Sequence, residues 1–272
     1  MSTQVQEARV EARGGTPAEV GAVARLLSLG RAELTLLGRN KTALFTCLVI
    51  PIVMALAMKR AVDEVDLAGT GLTVETVLLP ATLGYVLLFA VYSNLTGAYV
   101  ARREELVLKR LRTGELRDRE ILLGTALPSV VLGLAQAVLL VVLGGLVLSV
   151  GLPKAPHLLI AGLLLGTVVV VGFAAASSCL AKSAEAAQLA VLPFMMVSLA
   201  GSGMVFPLDA LPERIASVLG LLPMSPVMHL IRAGWTDGGD LKETVGQLLT
   251  GLAWCVITLF AVQRWFRWEP RR

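Results

Sequence analysis

Side chains able to do chemistry are concentrated in one short stretch of this sequence. Residues 102–120 read RREELVLKRLRTGELRDRE, with charges of both signs around Leu106, Val107, Leu108 and Leu111. Wound as a short helix, that pattern exposes an apolar ridge flanked by charge, a surface suited to a groove on a soluble partner. The alternative is a solvated turn whose charges only fix topology. Catalytic patterns are missing elsewhere. No lysine follows a glycine, so the phosphate-binding Gly-Lys step is absent, and neither HExxH nor GxSxG occurs. His229 reads as a satisfied interfacial histidine rather than a ligand. Cys47, Cys179 and Cys255 stand in apolar runs without CxxC or histidine spacing, and read as small buried side chains.

A second pattern is aromatic. All three tyrosines, Tyr85, Tyr92 and Tyr99, recur every seven residues, with Phe89 and Thr96 between them. Seven residues are nearly two α-helical turns, so these side chains are expected on one stripe. Its uses are packing between helices or the lining of a ligand path.

The elements that must hold these residues follow from composition. Of 272 residues, 56% are hydrophobic and 16% charged, with mean hydropathy +0.75. Soluble domains run about 45–50% apolar and about 25% charged, so a soluble core cannot absorb the excess. Uncharged runs near 20 residues match a hydrocarbon layer of about 30 Å. A soluble enzyme, a nucleic-acid binder and a disordered tail protein are excluded. The chain reads as an all-α polytopic membrane protein.

Residues 1–17 read as a flexible tail with no signal peptide. Residues 18–41 place Val20, Val23, Leu27, Leu34 and Leu37 at helical spacing between arginines, the pattern of an amphipathic helix lying on the membrane surface. A transmembrane domain over 42–264 divides into six spans, near 42–58, 76–100, 121–150, 158–181, 186–206 and 245–262. Gly162 and Gly166 form a GxxxG step in the fourth. Residues 207–235 contain Asp209, Glu213, Arg214, His229, Arg232 and four prolines, too much charge for a span. They parse as two short helices, with Pro212 opening one, Ser225 and Pro226 opening the other and Gly234 ending it. That is an external re-entrant hairpin. Residues 265–272 form a closing tail. The spans carry essentially no acidic or basic residue at mid-depth, which argues against coupling to protons or sodium. Asn94, Gln136 and Gln188 read as interhelical hydrogen bonders.

Six spans put both termini on one side. If that side also carries the 101–120 loop and Lys182, it holds 18 of the 24 Lys and Arg, leaving 6 opposite. The positive-inside rule then makes both termini cytoplasmic, with Trp265 and Trp268 as an interfacial anchor.

Six spans with cytoplasmic ends, a charged loop after the second and a hairpin before the sixth resemble the permease subunit of type-2 ABC exporters, especially actinobacterial drug-resistance permeases of the daunorubicin-exporter kind. The loop from Glu105 through Leu111-Arg112-Thr113-Gly114 is similar to that family's Glu…Leu-Arg-Thr-Pro-like coupling segment. Val107-Leu108 stands where Gly-Thr is usual, and Gly114 where proline is. Residues 202–213 (SGMVFPLDALPE) and 222–226 (LPMSP) resemble the family's fifth-span exit and external hairpin.

The resemblance implies a bacterial plasma-membrane transport subunit, not itself an enzyme, exporting a hydrophobic or amphipathic drug, antibiotic, lipid or small peptide. It implies two copies of an ABC ATPase subunit holding ATP and Mg, and a second permease copy, identical or related. Arg103, Glu104, Glu105, Leu108, Lys109, Leu111 and Arg112 become the ATPase-coupling residues. Tyr85, Phe89, Tyr92, Met195, Met196 and Ser198 become candidates for the substrate path. No cofactor, metal or nucleic acid is expected on this chain. The rival readings are a lipid-linked polysaccharide exporter, which the 5% aromatic content disfavours, and a non-transporting scaffold or sensor whose loop binds a regulator.

Overall fold

The computed structural model describes residues 77–114, 117–147, 151–204, 208, 211–236 and 238–269, with isolated positions between 31 and 60. The expected tail, surface helix and first span lie outside the described residues, apart from isolated helical positions such as Lys41, Phe45 and Val53. Among the described residues there is no strand. They form α1 (Leu79–Glu104), α2 (Val107–Arg112), α3 (Asp118–Val147), α4 (Pro156–Ser178), α5 (Ala184–Gly201), α6 (Glu213–Leu219), α7 (Ser225–Ala233) and α8 (Leu241–Trp265). Five of these, α1, α3, α4, α5 and α8, are long and apolar enough to cross a bilayer.

Helix α1 is the axis of the bundle. It packs against α3, α4, α5 and α7, and α4 in turn carries α7 and α8. Of the most apolar stretch of α1, 67% lies buried, against 11% for α8. Lipid tails are as apolar as leucine, so close backbone approach, not a hydrophobic drive, brings such helices together. Gly166 supplies it. A Cβ there would stand 2.6 Å from Leu87 Cδ1 and 2.7 Å from Val227 Cγ1, and at Gly162 one would stand 3.0 Å from the Ile231 nitrogen. The GxxxG face therefore seats α7 together with the middle of α1. Val227 meets α4 ten residues beyond Pro156, about 15 Å along its axis.

Several boundaries differ from expectation for identifiable reasons. Helix α1 runs on to Glu104, so Arg102, Arg103 and Glu104 are its last turn rather than part of a separate loop. The helix expected over 102–120 is divided. Leu106 takes a left-handed φ of 59°, a conformation that normally favours glycine just past a helix end, and α2 starts after it. Helix α3 opens at Asp118, where Glu120 Oε2 accepts from the Arg117 amide at 2.9 Å in a capping-box arrangement. Helix α5 breaks at Val191, since Pro193 cannot donate the next backbone bond. Inside α1, residues Leu87–Ser93 are wound as a π-helix.

Candidate functional site at the charged end of the bundle

The charged stretch meets the α4–α5 turn and the end of α8. Arg103 is 1% exposed. Its guanidinium donates from Nη1 to the Ser178 carbonyl at 2.9 Å and from Nη2 to the Ala181 carbonyl at 2.6 Å. The first oxygen belongs to the last residue of α4, where carbonyls lack intrahelical partners and the helix dipole is negative, and the second to the turn that follows. The next residue does the converse. Glu104 Oε2 accepts from the Ala184 amide at 2.9 Å, at the positive N-terminus of α5. Two consecutive side chains of opposite sign thus hold the ends of two helices on either side of one turn. Ser183 Oγ adds an N-cap on Ala186 at 3.2 Å.

Of the seven residues expected to dock a partner, the structure separates two kinds. Arg103 and Leu108 are fully buried and face the chain's own interior, and Leu111 is half-buried. Glu104, Glu105, Lys109 and Arg112 are exposed, Glu104 while gripping the turn. Exposed Leu106 and Arg110 complete the outer surface of α2. Arg112 Nε donates to Asp118 Oδ1 at 3.1 Å. Sequence reasoning missed the contribution of the C-terminal segment. Trp268, read with Trp265 as an interfacial anchor, lies 5.0 Å from the Arg112 guanidinium, and Glu269 pairs with Lys109.

The aromatic stripe does not stay on one line. Tyr92 is fully buried; its hydroxyl is 2.9 Å from Ser177 Oγ and donates to the Val191 carbonyl at 3.3 Å. Its ring meets Phe194 edge-on, and Phe194 stacks on Phe173 at 4.1 Å. Tyr99 is also buried, donating to the Leu122 carbonyl at 3.0 Å. Tyr85 is half-buried and Phe89 47% exposed, their rings 6.2 Å apart. The π segment, which takes in Phe89 and Tyr92, accounts for the split, because its i→i+5 winding breaks the seven-residue register of an α-helix. Met195 and Ser198 are buried while Met196 is exposed. Gln136 is buried, but Asn94 and Gln188 are exposed and do not bridge helices as expected.

At the opposite end, His229 Nδ1 lies 3.5 Å from Glu243 Oε1 and its Nε2 3.5 Å from Thr244 Oγ1, joining α7 to α8. Arg232 donates to the Gly203 carbonyl, tying α7 to the end of α5. Among the described residues no group of His, Cys, Asp and Glu could hold a metal ion.

A family model described as an ABC-2 family transporter protein matches residues 55–262, most of the chain. The chain belongs to the ABC-2 transporter family. No curated protein matches it. An ABC-2 chain of this kind is a multi-pass membrane protein, the permease component of an ABC transporter, and pairs with an ABC ATPase subunit. In this ABC-2 permease the matched region takes in α2, the Arg103–Glu104 clamp and both aromatic pairs. Phe266, Trp268 and Glu269 lie beyond it.

Proposed function

We propose that this ABC-2 permease exports a hydrophobic or amphipathic compound, of the drug, antibiotic, lipid or small-peptide class, driven by ATP bound with Mg on two copies of the partner subunit. The daunorubicin-type resemblance, the absence of a Gly-Lys step and the uncharged mid-depth of the spans support it. The functional unit is a pair of permeases in the bacterial plasma membrane. Each has six spans, cytoplasmic termini, and α6–α7 as a re-entrant hairpin on the outer side. Half-buried Tyr85 and exposed Phe89 and Met196 border the substrate path, and buried Tyr92, Met195 and Ser198 stand behind them. The observation that carries the reading is the clamp. Helix α2 offers an outer surface to a soluble partner, and the adjacent Arg103 and Glu104 tie its base to the α4–α5 turn, so a push on α2 reaches two spans at once.

The test targets exposed residues, because Leu108 is core and its loss would unfold the end. Leu106→Asp with Arg110→Glu should remove substrate-stimulated ATPase turnover while membrane insertion persists. Normal stimulated turnover in that variant would reduce α2 to a topological turn.

A further inference from the structure

Two cations of α2, Lys109 and Arg112, are already engaged from within the chain while staying about half exposed. Lys109 and Arg112 stand one turn apart on the same side of α2. The chain leaves α8 at Phe266, whose backbone is extended at φ −62° and ψ 130°, and passes back over the charged end. Phe266 meets the buried Tyr99 ring edge-on at 5.9 Å, and Trp268 meets Phe266 edge-on at 4.9 Å. From that root, Trp268 reaches the Arg112 guanidinium at 5.0 Å and Glu269 Oε1 the Lys109 ammonium at 2.8 Å. Two neighbouring tail residues engage both cations.

Root and tip differ in strength. Tyr99 is held by its own hydrogen bond inside the bundle, so Phe266 rests on a fixed surface. The Lys109 and Glu269 side chains are 55% and 67% exposed. Ion pairs and cation–π contacts that wet contribute little and weaken with salt. The tip can leave while the root stays.

We propose that Trp268 and Glu269, rooted on Phe266, are a displaceable cover on α2. Glu269 occupies Lys109 and Trp268 occupies Arg112, cations that a carboxylate-bearing surface of the ABC ATPase subunit takes over when it docks. The proposal rests on α2 being the docking element. Charge selects the partner's chemistry. Lys109, Arg110, Arg112, Arg117 and Arg119 are exposed here against the exposed carboxylates Glu104, Glu105 and Asp118, of which Glu104 is held by the Ala184 amide and Asp118 by Arg112. Such a surface fits an acidic partner, and Glu269 stands in for it. A cover closed in most molecules lowers the apparent affinity by the open fraction, about tenfold for contacts of this strength.

The full-length permease in nanodiscs, titrated with the purified ATPase subunit, tests this. Trp268→Ala with Glu269→Gln should bind the subunit about tenfold more tightly. Adding Lys109→Glu and Arg112→Glu to that uncovered chain should then weaken binding well below the starting level. If the uncovered chain binds no more tightly than the parent while the charge reversals still weaken it, the cover is refuted and docking on α2 stands. If the reversals change nothing, docking on α2 fails and the cover with it.

Discussion

Arg103→Met replaces the buried guanidinium with an apolar chain that still fills the space. The Ser178 and Ala181 carbonyls lose their donors, and both residues are almost wholly buried. Hydrogen bonds to a charged group contribute about 1.5–3 kcal/mol each. Against that, the variant no longer buries a cation, which offsets part of the loss. A net weakening of the α4–α5 turn by about 2–3 kcal/mol follows. Cys179, partly buried and directly after α4, reports on that turn. In a background with Cys47 and Cys255 changed to serine, its reaction with a bulky maleimide requires local opening. A loss of about 2–3 kcal/mol should speed labelling about 30- to 150-fold. Arg103→Lys, able to reach one carbonyl as a point charge, should fall between. Wild-type labelling rates in the methionine variant would mean that the clamp holds nothing.

Two other outcomes are expected. Gly166→Val drives a side chain into Leu87 and Val227 and should cost about 1–3 kcal/mol, read as an earlier thermal midpoint in detergent. Gly246→Ala, with nothing within 4 Å of the added carbon, should leave the midpoint unchanged or raise it, and equal effects at the two glycines would remove packing as the cause. For orientation, Asp240→Cys should react with an impermeant thiol reagent on intact cells and Arg110→Cys should not; the reverse result would invert the topology argued from the charge split.

The spans after the first were legible because the bilayer writes its thickness into any crossing helix. Observed bounds such as Pro156–Ser178 and Leu241–Trp265 fall within a few residues of the apolar runs. The short helix Ser225–Ala233 was legible from Pro226 and Gly234, local signals read locally. What escaped depends on contacts distant in sequence. Charge marked Arg103 as a surface residue, yet its partners are carbonyls more than 70 positions away, and a carbonyl carries no residue-specific signal. The tyrosine register failed because a π segment has no composition that tells it from an α-helix. Trp268 and Glu269 lie in a short polar tail where nothing distinguishes a covering segment from a loose end.

The π winding of Leu87–Ser93 also bears on insertions and deletions. Each i→i+5 turn takes up one residue more than an α turn, so α1 carries spare chain at the level where Leu87 meets Gly166. A deletion elsewhere in the helix would rotate one half against its neighbours and undo either the Leu79–Gly144 contact above or the Arg103 clamp below. Removing a residue from within Leu87–Ser93 instead lets the segment rewind as α-helix while both flanks keep their seats. Length variation in this span is therefore tolerated at that one level, and a relative shorter by one residue there can keep the same bundle.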